Sequence, residues 1–374
     1  MPNRSHNKGE WSEPYVALTA LGNGRIGLAD ENGERMNGQW LNVIEVIRYE
    51  TENRIVKYNY DPGEVDIDIM VNNEIVVNVN ASEFFEAANR LKKEILAGSG
   101  TFEVSNDLKS FFERIQLRQV KAKSIEKSDI FITTEHPGTN VVRERIGFSI
   151  KSKFGQDPTL FNTGKNSAAI YKLSNMDDDF METVNSTMDQ QGHVAVTERC
   201  RMLIDRGCAF EFVGFPVAAR ARCKAFEENL EMLNPRLPSI IEFILRKHFL
   251  TDCSARTVKD MMDVVIEENP CEITRPESKY PYMMKAFLYA SYCGLTAGTL
   301  WDGRSNVNGG FIAVNEDGEV LANLAMESEA FKNYLYSHCY FEWPATSEGH
   351  GNYARVYKEN GEYYFRLNFQ IRYM

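Results

Sequence analysis

The sequence has no apolar run near the roughly 20 residues that a bilayer-spanning helix needs, so no membrane partner is expected. Its opening, MPNRSHNKGEW, carries basic residues but no apolar stretch behind them, and so does not read as a secretory signal. The seven cysteines are scattered, odd in number and free of any Cys-x-x-Cys spacing. That pattern argues against a disulfide framework and a zinc site, and fits reduced thiols in the cytoplasm. On that reading the Asn-x-Ser/Thr triplets at Asn80 and Asn185 carry no meaning. The six histidines form no His-x-x-x-His spacing. There is no internal repeat and no low-complexity linker. Positive charge is also in short supply: the formal net charge is −11, which taken alone argues against a polyanionic partner. The distribution says otherwise. Lys109 to Lys153 holds ten Lys/Arg against five Asp/Glu, and a basic cleft in an acidic protein suffices for phosphate contacts, which depend on the local field. A solvated mixed-charge face is the plainer account of the same run.

What is present is an ordinary globular composition, 43% hydrophobic and 25% charged over 374 residues, enough for two or three packed units. Residues 9–21 predict a short helix, with Pro14 tolerable only in its first turn. Residues 41–80 predict a meander of four strands (WLNVIEVIRYE, RIVKYNY, VDIDIMVN, EIVVNVN) broken at Asp61-Pro62-Gly63 and Asn72-Asn73. Ser82 then opens an amphipathic helix stopped at Gly98. A second helix is expected over Asn106–Leu117, then a strand near Gln119–Ser124. Residues 157–168 read as a loop before a short strand, AAIYKL. Residues 180–295 are mostly helical, and the last eighty or so turn β-rich, with Asn360-Gly361 as a hairpin turn. The expected organisation is an N-terminal helix (1–24), an inserted β-rich and helical module (25–105), core strands (106–180), a helical subdomain (181–295) and a β-rich end (296–374).

The chemistry concentrates in KSDIFITTEHPGTNVVRERIGFSIKSKF, residues 127–154. Two alternating runs flank a His-Pro-Gly turn and read as a hairpin. It puts Asp129 at the start of one strand and Lys151 on the next. A carboxylate for a divalent cation and an ammonium for a water or phosphate oxygen are the minimum for metal-assisted phosphodiester hydrolysis. Ser149 shares the strand face of Lys151, where many magnesium nucleases carry an acid as Asp/Glu-x-Lys. A second acid must then come from elsewhere. Glu13, on the first turn of the N-terminal helix with Glu10 three residues before it, is the candidate; a dipole-favoured acid is its plainer reading. Glu113 is the rival. Gly22-Asn23-Gly24-Arg25-Ile26-Gly27 formally matches a dinucleotide fingerprint, but it follows a helix rather than a strand. Asp66 and Asp68 read as the wet face of a strand, and Asp177-Asp178-Asp179 as a solvated loop. His350, between two glycines, is the histidine best suited to a phosphate or base.

The segments NKGEWSEPYV, KAKSIEKSDIFI, IGFSIKSKFGQDPTLFN, GGFIAV and NGEYYFRLNFQIRY follow the order seen in HpaII-type restriction endonucleases, which the chain resembles over nearly its whole length. The resemblance implies an α/β fold with a PD-(D/E)xK restriction-endonuclease-like core, a mixed central sheet flanked by helices. It implies a type II enzyme that uses Mg²⁺ and makes sequence-specific double-strand breaks at a short palindrome, CCGG in the family's typical case, leaving 5′-phosphates. Asp129 and Lys151 match the family's active-site motif, and Glu13 resembles the helix-borne glutamate of the superfamily. The proline before the acid is absent (Ser128 precedes Asp129), the second acid is Ser149, and Asn162-Thr163-Gly164 stands where Asn-x-Ser would be expected.

On this reading Asp129 and Glu13, with a backbone carbonyl near Ile150, hold the metal, and Lys151 orients the attacking water. Base edges would be met by Lys153, Lys165, Arg304, Asn306, Asn308, His350, Gln370 and Arg372, although backbone-phosphate contacts would suit the same residues. Double-stranded DNA is the partner, a palindrome invites a homodimer, and a cognate DNA methyltransferase is the functional counterpart. The rival class is a non-catalytic, sequence-specific DNA-binding protein on the same scaffold, for which Ser149 is the best argument.

Overall fold

The computed structural model describes residues 5–60, 65–121, 128–304, 309–324, 328–344, 346 and 352–374. The chain begins with β1 (His6–Asn7), α1 (Lys8–Asn23), β2 (Arg25–Ala29), β3 (Arg35–Thr51), β4 (Arg54–Tyr60), β5 (Asp66–Val71) and β6 (Glu74–Asn80). Next come α2 (Ala81–Ala97), β7 (Thr101–Phe102), α3 (Asn106–Arg114), β8 (Ile130–His136) and β9 (Val141–Ser152). The middle holds β10 (Thr159–Phe161), β11 (Ala169–Leu173), α4 (Asp178–Ser186), α5 (Val196–Asp205) and β12 (Phe210–Gly214). Four helices follow: α6 (Ala225–Leu233), α7 (Leu237–Leu250), α8 (Val258–Glu268) and α9 (Pro276–Cys293). The end comprises β13 (Gly310–Val314), β14 (Val320–Leu324), α10 (Ser328–His338), β15 (Cys339–Glu342), β16 (Val356–Glu359), β17 (Glu362–Leu367) and β18 (Gln370–Tyr373). Chain contacts divide this mixed α/β protein into a first unit, 1–158 with 305–334, and a second, 159–304 with 335–374.

The first unit is built on a nine-stranded mixed sheet in the order β2-β14-β13-β9-β8-β3-β4-β5-β6. The β8–β9 hairpin and the β3–β6 meander form as their alternation predicts, all antiparallel. The strands of 25–80 are continuous with the sheet that carries β8 and β9, because β3 pairs with β8. β3 also pairs with β2, so β2, β14, β13, β9, β8 and β3 close a circuit of pairings. The parallel contacts are β13 with β9 and β14 with β2.

Helix α1 packs on this sheet. Asn7 and Glu10 close a capping box at its start, and Gly24, at φ +61°, ends it in the left-handed conformation. Ten of its residues are buried, Trp11 and Leu18 completely. Pro14 lies beyond the first turn, inside the helix; its missing N–H removes one bond, and burial holds the helix together across that gap. The Gly22–Gly27 motif is structural: a side chain at Gly22 would meet the Phe85 backbone at 2.5 Å.

Other expectations shift. Asn80, not Ser82, caps α2, accepting the Ser82 amide at 3.0 Å. The helix α3 ends at Arg114 rather than Leu117. Gln119–Lys121 are not strand, and 122–124 lie outside the described residues, as does the Asp61-Pro62-Gly63 turn. Asp177 caps α4 through the Phe180 amide at 2.8 Å, so the Asp177–Asp179 run starts a helix rather than a loop.

In the second unit β12-β11-β17-β16 form one sheet and β10-β18-β15 another, with α4–α9 supplying the helices expected between 180 and 295. β10 falls in the stretch expected to be loop. The Asn360-Gly361 turn has φ of 52° and 85°, the left-handed pair of a type I′ hairpin. Phe161 stacks on Phe226 and Phe369 with centroids 5.3 and 5.4 Å apart, binding β10 and the C-terminal segment to α6. None of the seven cysteines, all of them described, forms a disulfide.

Candidate active site

The hairpin register decides where Asp129 and Lys151 go. Ile130 lies opposite Phe148, which sets Asp129 at the end of β8 beside Ser149. At that point the strands diverge. The Asp129 amide still donates to the Phe148 carbonyl at 2.8 Å. The Asp129 carboxylate takes over the ladder's next position, accepting the Ile150 N–H at 2.8 Å and the Ser149 hydroxyl at 3.2 Å. A strand residue directs its N–H and C=O to the same edge, so the Ile150 carbonyl points to the edge where Asp129 stands. Ser149 and Lys151 share one face of β9 by its period of two. Across the parallel ladder they meet Phe311 and Ala313. Asp129, Ser149 and Lys151 are all half-buried.

Gly147 belongs to the same row. A methyl there would strike the Ser128 hydroxyl and come within 2.9 Å of the Phe131 ring. The glycine lets the segment before Asp129 lie against β9. Arg145 stacks on Phe131, its guanidinium carbon 4.4 Å from the ring centroid, and donates to the Tyr49 hydroxyl at 3.1 Å.

Glu13 lies on α1, which packs against β9. Its neighbour Ser12 donates to Ser152 at 2.7 Å, and Ser152 alternates with Lys151. Glu13 is buried, and its carboxylate is 4.0 Å from the wholly buried Arg48 guanidinium. Arg48 also donates to the Gln119 and Val120 carbonyls at 3.1 and 2.8 Å. Glu10 serves the helix cap, and Glu113 is exposed at the end of α3. The geometry thus unites Asp129, Ser149, Ile150 and the Lys151 strand position, and turns Glu13 toward Arg48.

The donors suit a hard cation. A carboxylate and a strand carbonyl directed to one edge are oxygen donors of the kind Mg²⁺ accepts. Among the described residues no group of three His, Cys, Asp or Glu could hold a metal. Asp66 and Asp68 are bound to Asn80 and Asn78 across the β5–β6 hairpin.

The expected DNA-contacting residues scatter. Lys165 and Arg304 are exposed and Lys153 is half-buried. Gln370 is buried in the β15–β18 ladder, and Arg372 is paired with Glu342 at 2.5 Å. Asn306, Asn308 and His350 lie outside the described residues. Sequence reading missed Arg48, which looks like an ordinary polar strand residue, and the buried Asn229 and Asn368. The only signal for Asn368 was its place in LNFQIRY.

Comparison with known proteins decides the family. The profile described as HpaII restriction endonuclease matches residues 7–373. The chain belongs to the HpaII restriction endonuclease family. The type II restriction enzyme HpaII of Haemophilus parainfluenzae is 28% identical over 373 residues, covering 99% of each chain. No solved structure matches the chain. Membership of this family makes it a type II site-specific deoxyribonuclease, and the match spans both units. No helix among the described residues is long and apolar enough to cross a membrane.

Proposed function

We propose that this endonuclease cuts both strands of duplex DNA at a short palindrome of the CCGG type by Mg²⁺-dependent hydrolysis, on a core of the PD-(D/E)xK kind, in the cytoplasm. The observation that carries the reading is the Asp129 carboxylate 2.8 Å from the Ile150 amide, one residue before Lys151 on the same strand. A bound divalent cation would neutralise phosphate charge and lower the pKa of a bound water. Asp129 and the Ile150 carbonyl would hold it. Lys151 orients the attacking water and offsets the charge that builds on the phosphorane oxygens. Ser149, donating to Asp129, helps fix the carboxylate that would hold the cation. Attack in line with the 3′-oxygen leaves a 5′-phosphate and a 3′-hydroxyl. A homodimer places one such centre on each strand of a palindrome, and a methyltransferase of the same specificity would protect the host's own sites.

The test is plasmid digestion with Mg²⁺ against an EDTA control, followed by mapping of the fragment ends. Asp129→Ala and Lys151→Ala should each abolish cleavage while retaining sequence-specific binding. Cleavage retained by both variants would remove this site.

A further inference from the structure

The second unit contains a cleft that the proposed hydrolytic chemistry does not use. It encloses about 550 Å³ and is lined by Asn162, Thr163, Lys165, Asn166, Arg220 and Thr299, among others. Three segments form its walls: two loops are each pinned from beneath by a buried asparagine, and the third, which carries Arg220, is a tight turn closed by the Ala218 N–H donating to the Cys223 carbonyl at 2.8 Å. Asn368, wholly buried, donates to the Gly164 carbonyl at 2.9 Å and accepts the Ser167 hydroxyl at 3.0 Å. Asn229, 1% exposed, donates to the carbonyls of Thr296 and Thr299 at 3.0 and 2.8 Å and accepts the Trp301 amide at 2.9 Å. The loops nearly touch: a side chain on Gly298 would meet the Asn166 amide at 3.1 Å.

This is an expensive arrangement for a surface depression. Two buried amides are fully engaged in fixing loops whose own side chains end in donors and acceptors. Lys165 and Arg220 are exposed at the cleft, and the buried Thr163 hydroxyl has no hydrogen-bond partner among the described residues. Rigid loops that present Arg, Lys and Asn are what base-edge recognition requires, because hydrogen-bond geometry discriminates bases only when the reader is held still. Phosphate contacts do not need such rigidity.

We infer that this cleft is the sequence-reading site of the enzyme, with Arg220 and Lys165 meeting guanine edges and Asn166 the neighbouring base. The inference rests on the duplex-cutting function proposed above. Guanine is the partner because its O6 and N7 accept the two donors of a guanidinium fork. The recognised sequence therefore contains G·C pairs.

The test uses the full chain carrying Lys151→Ala, so that DNA stays intact. Binding selection from a random-sequence duplex pool identifies the preferred site. Fluorescence anisotropy then compares that site with a scrambled duplex. Arg220→Lys keeps the charge but loses the fork, and should cut the preference for the selected site by ~10-fold or more. Its affinity for the scrambled duplex should not change. Asn166→Ala should relax selection at one position. Arg220 is exposed and Asn166 half-buried, and unchanged melting temperatures will confirm folding. If the variants weaken both duplexes equally and lower the salt dependence, the cleft contacts phosphates and the inference falls. It falls equally if the variants select the same site with undiminished preference, or if that site has only A·T pairs. If the unsubstituted cleft selects no duplex at all, the proposed function fails first and takes this inference with it.

Discussion

Ser149→Asp is the most informative change available at the proposed hydrolytic centre. The Ser149 hydroxyl is 3.2 Å from the Asp129 carboxylate, and both residues are half-buried. An aspartate there puts a second carboxylate against the first and restores the Asp-x-Lys spacing with Lys151. At about 4 Å and an effective dielectric of about 20, two such charges repel by about 4 kcal/mol. That figure is an upper bound, since counter-ions screen part of it. For a cooperative unit of roughly 150–250 residues, 1 kcal/mol moves the melting temperature by about 2–4 °C. Without metal the variant should therefore melt up to roughly 8–16 °C below the parent. With Mg²⁺ present the paired carboxylates become ligands, and most of the loss should return. The assay is thermal melting of both proteins in EDTA and in MgCl₂. The parent should respond weakly and the variant strongly. A drop that is identical with and without Mg²⁺ would mean that the Asp129 edge does not hold a cation, and the hydrolytic role of this hairpin would have to be abandoned.

Three further changes probe the rest of the molecule. Glu13→Gln removes the carboxylate 4.0 Å from the buried Arg48, and should cost about 3 kcal/mol because a buried cation loses its countercharge; unchanged urea stability with lost cleavage would instead give Glu13 a part in the chemistry. Gly147→Ala forces a methyl against Ser128 and Phe131, so cleavage should fall at least 100-fold while far-ultraviolet circular dichroism stays unchanged, and full activity would show that the segment before Asp129 tolerates displacement. Burial, with Arg256 adding to it, pushes the His248 imidazole down to about 4 from 6.5. The unfolded chain then binds the extra proton between those values, so stability is complete above pH 6.5 and is lost as pH falls towards 4, by ~2 kcal/mol after discounting for solvent screening. Urea midpoints at pH 7.5 and 5 for the parent and His248→Phe test this, the variant losing less.

Much of the fold follows from periodicity. The β8–β9 hairpin and the β3–β6 meander are sequential antiparallel pairings, so alternation and turn residues specify them locally. The boundaries that moved were set by competition at single residues. Asn80 outcompetes Ser82 as a cap because it is positioned to accept the Ser82 amide. Pro14 stays inside α1 because ten buried side chains outweigh one missing hydrogen bond. The parallel β13–β9 ladder leaves no comparable trace. Its strands are separated by more than 150 residues, and an apolar run such as GFIAV says that a strand is buried without saying beside which neighbour.

The candidate site divides along the same line. Asp129 and Lys151 lie on one hairpin, and the register of its two strands sets Asp129 beside Ser149, two residues before Lys151. Glu13 is not legible in that way. Its setting depends on Arg48, on a strand reached by a different turn, and on the carbonyls of Gln119 and Val120 that hold the guanidinium. A buried cation draws in the nearest carboxylate, since an unpaired charge costs several kcal/mol, and no spacing in α1 reveals that the cation is there. The cleft in the second unit shows the same limit more strongly. Its side chains are unremarkable polar residues in three separate segments, and what gathers two of its loops is a pair of asparagines, Asn229 and Asn368, that a sequence reading treats as loop material. Chemistry carried by one supersecondary unit can be read from its own residues. Chemistry assembled from distant loops has to be sought among the buried polar groups that hold those loops still.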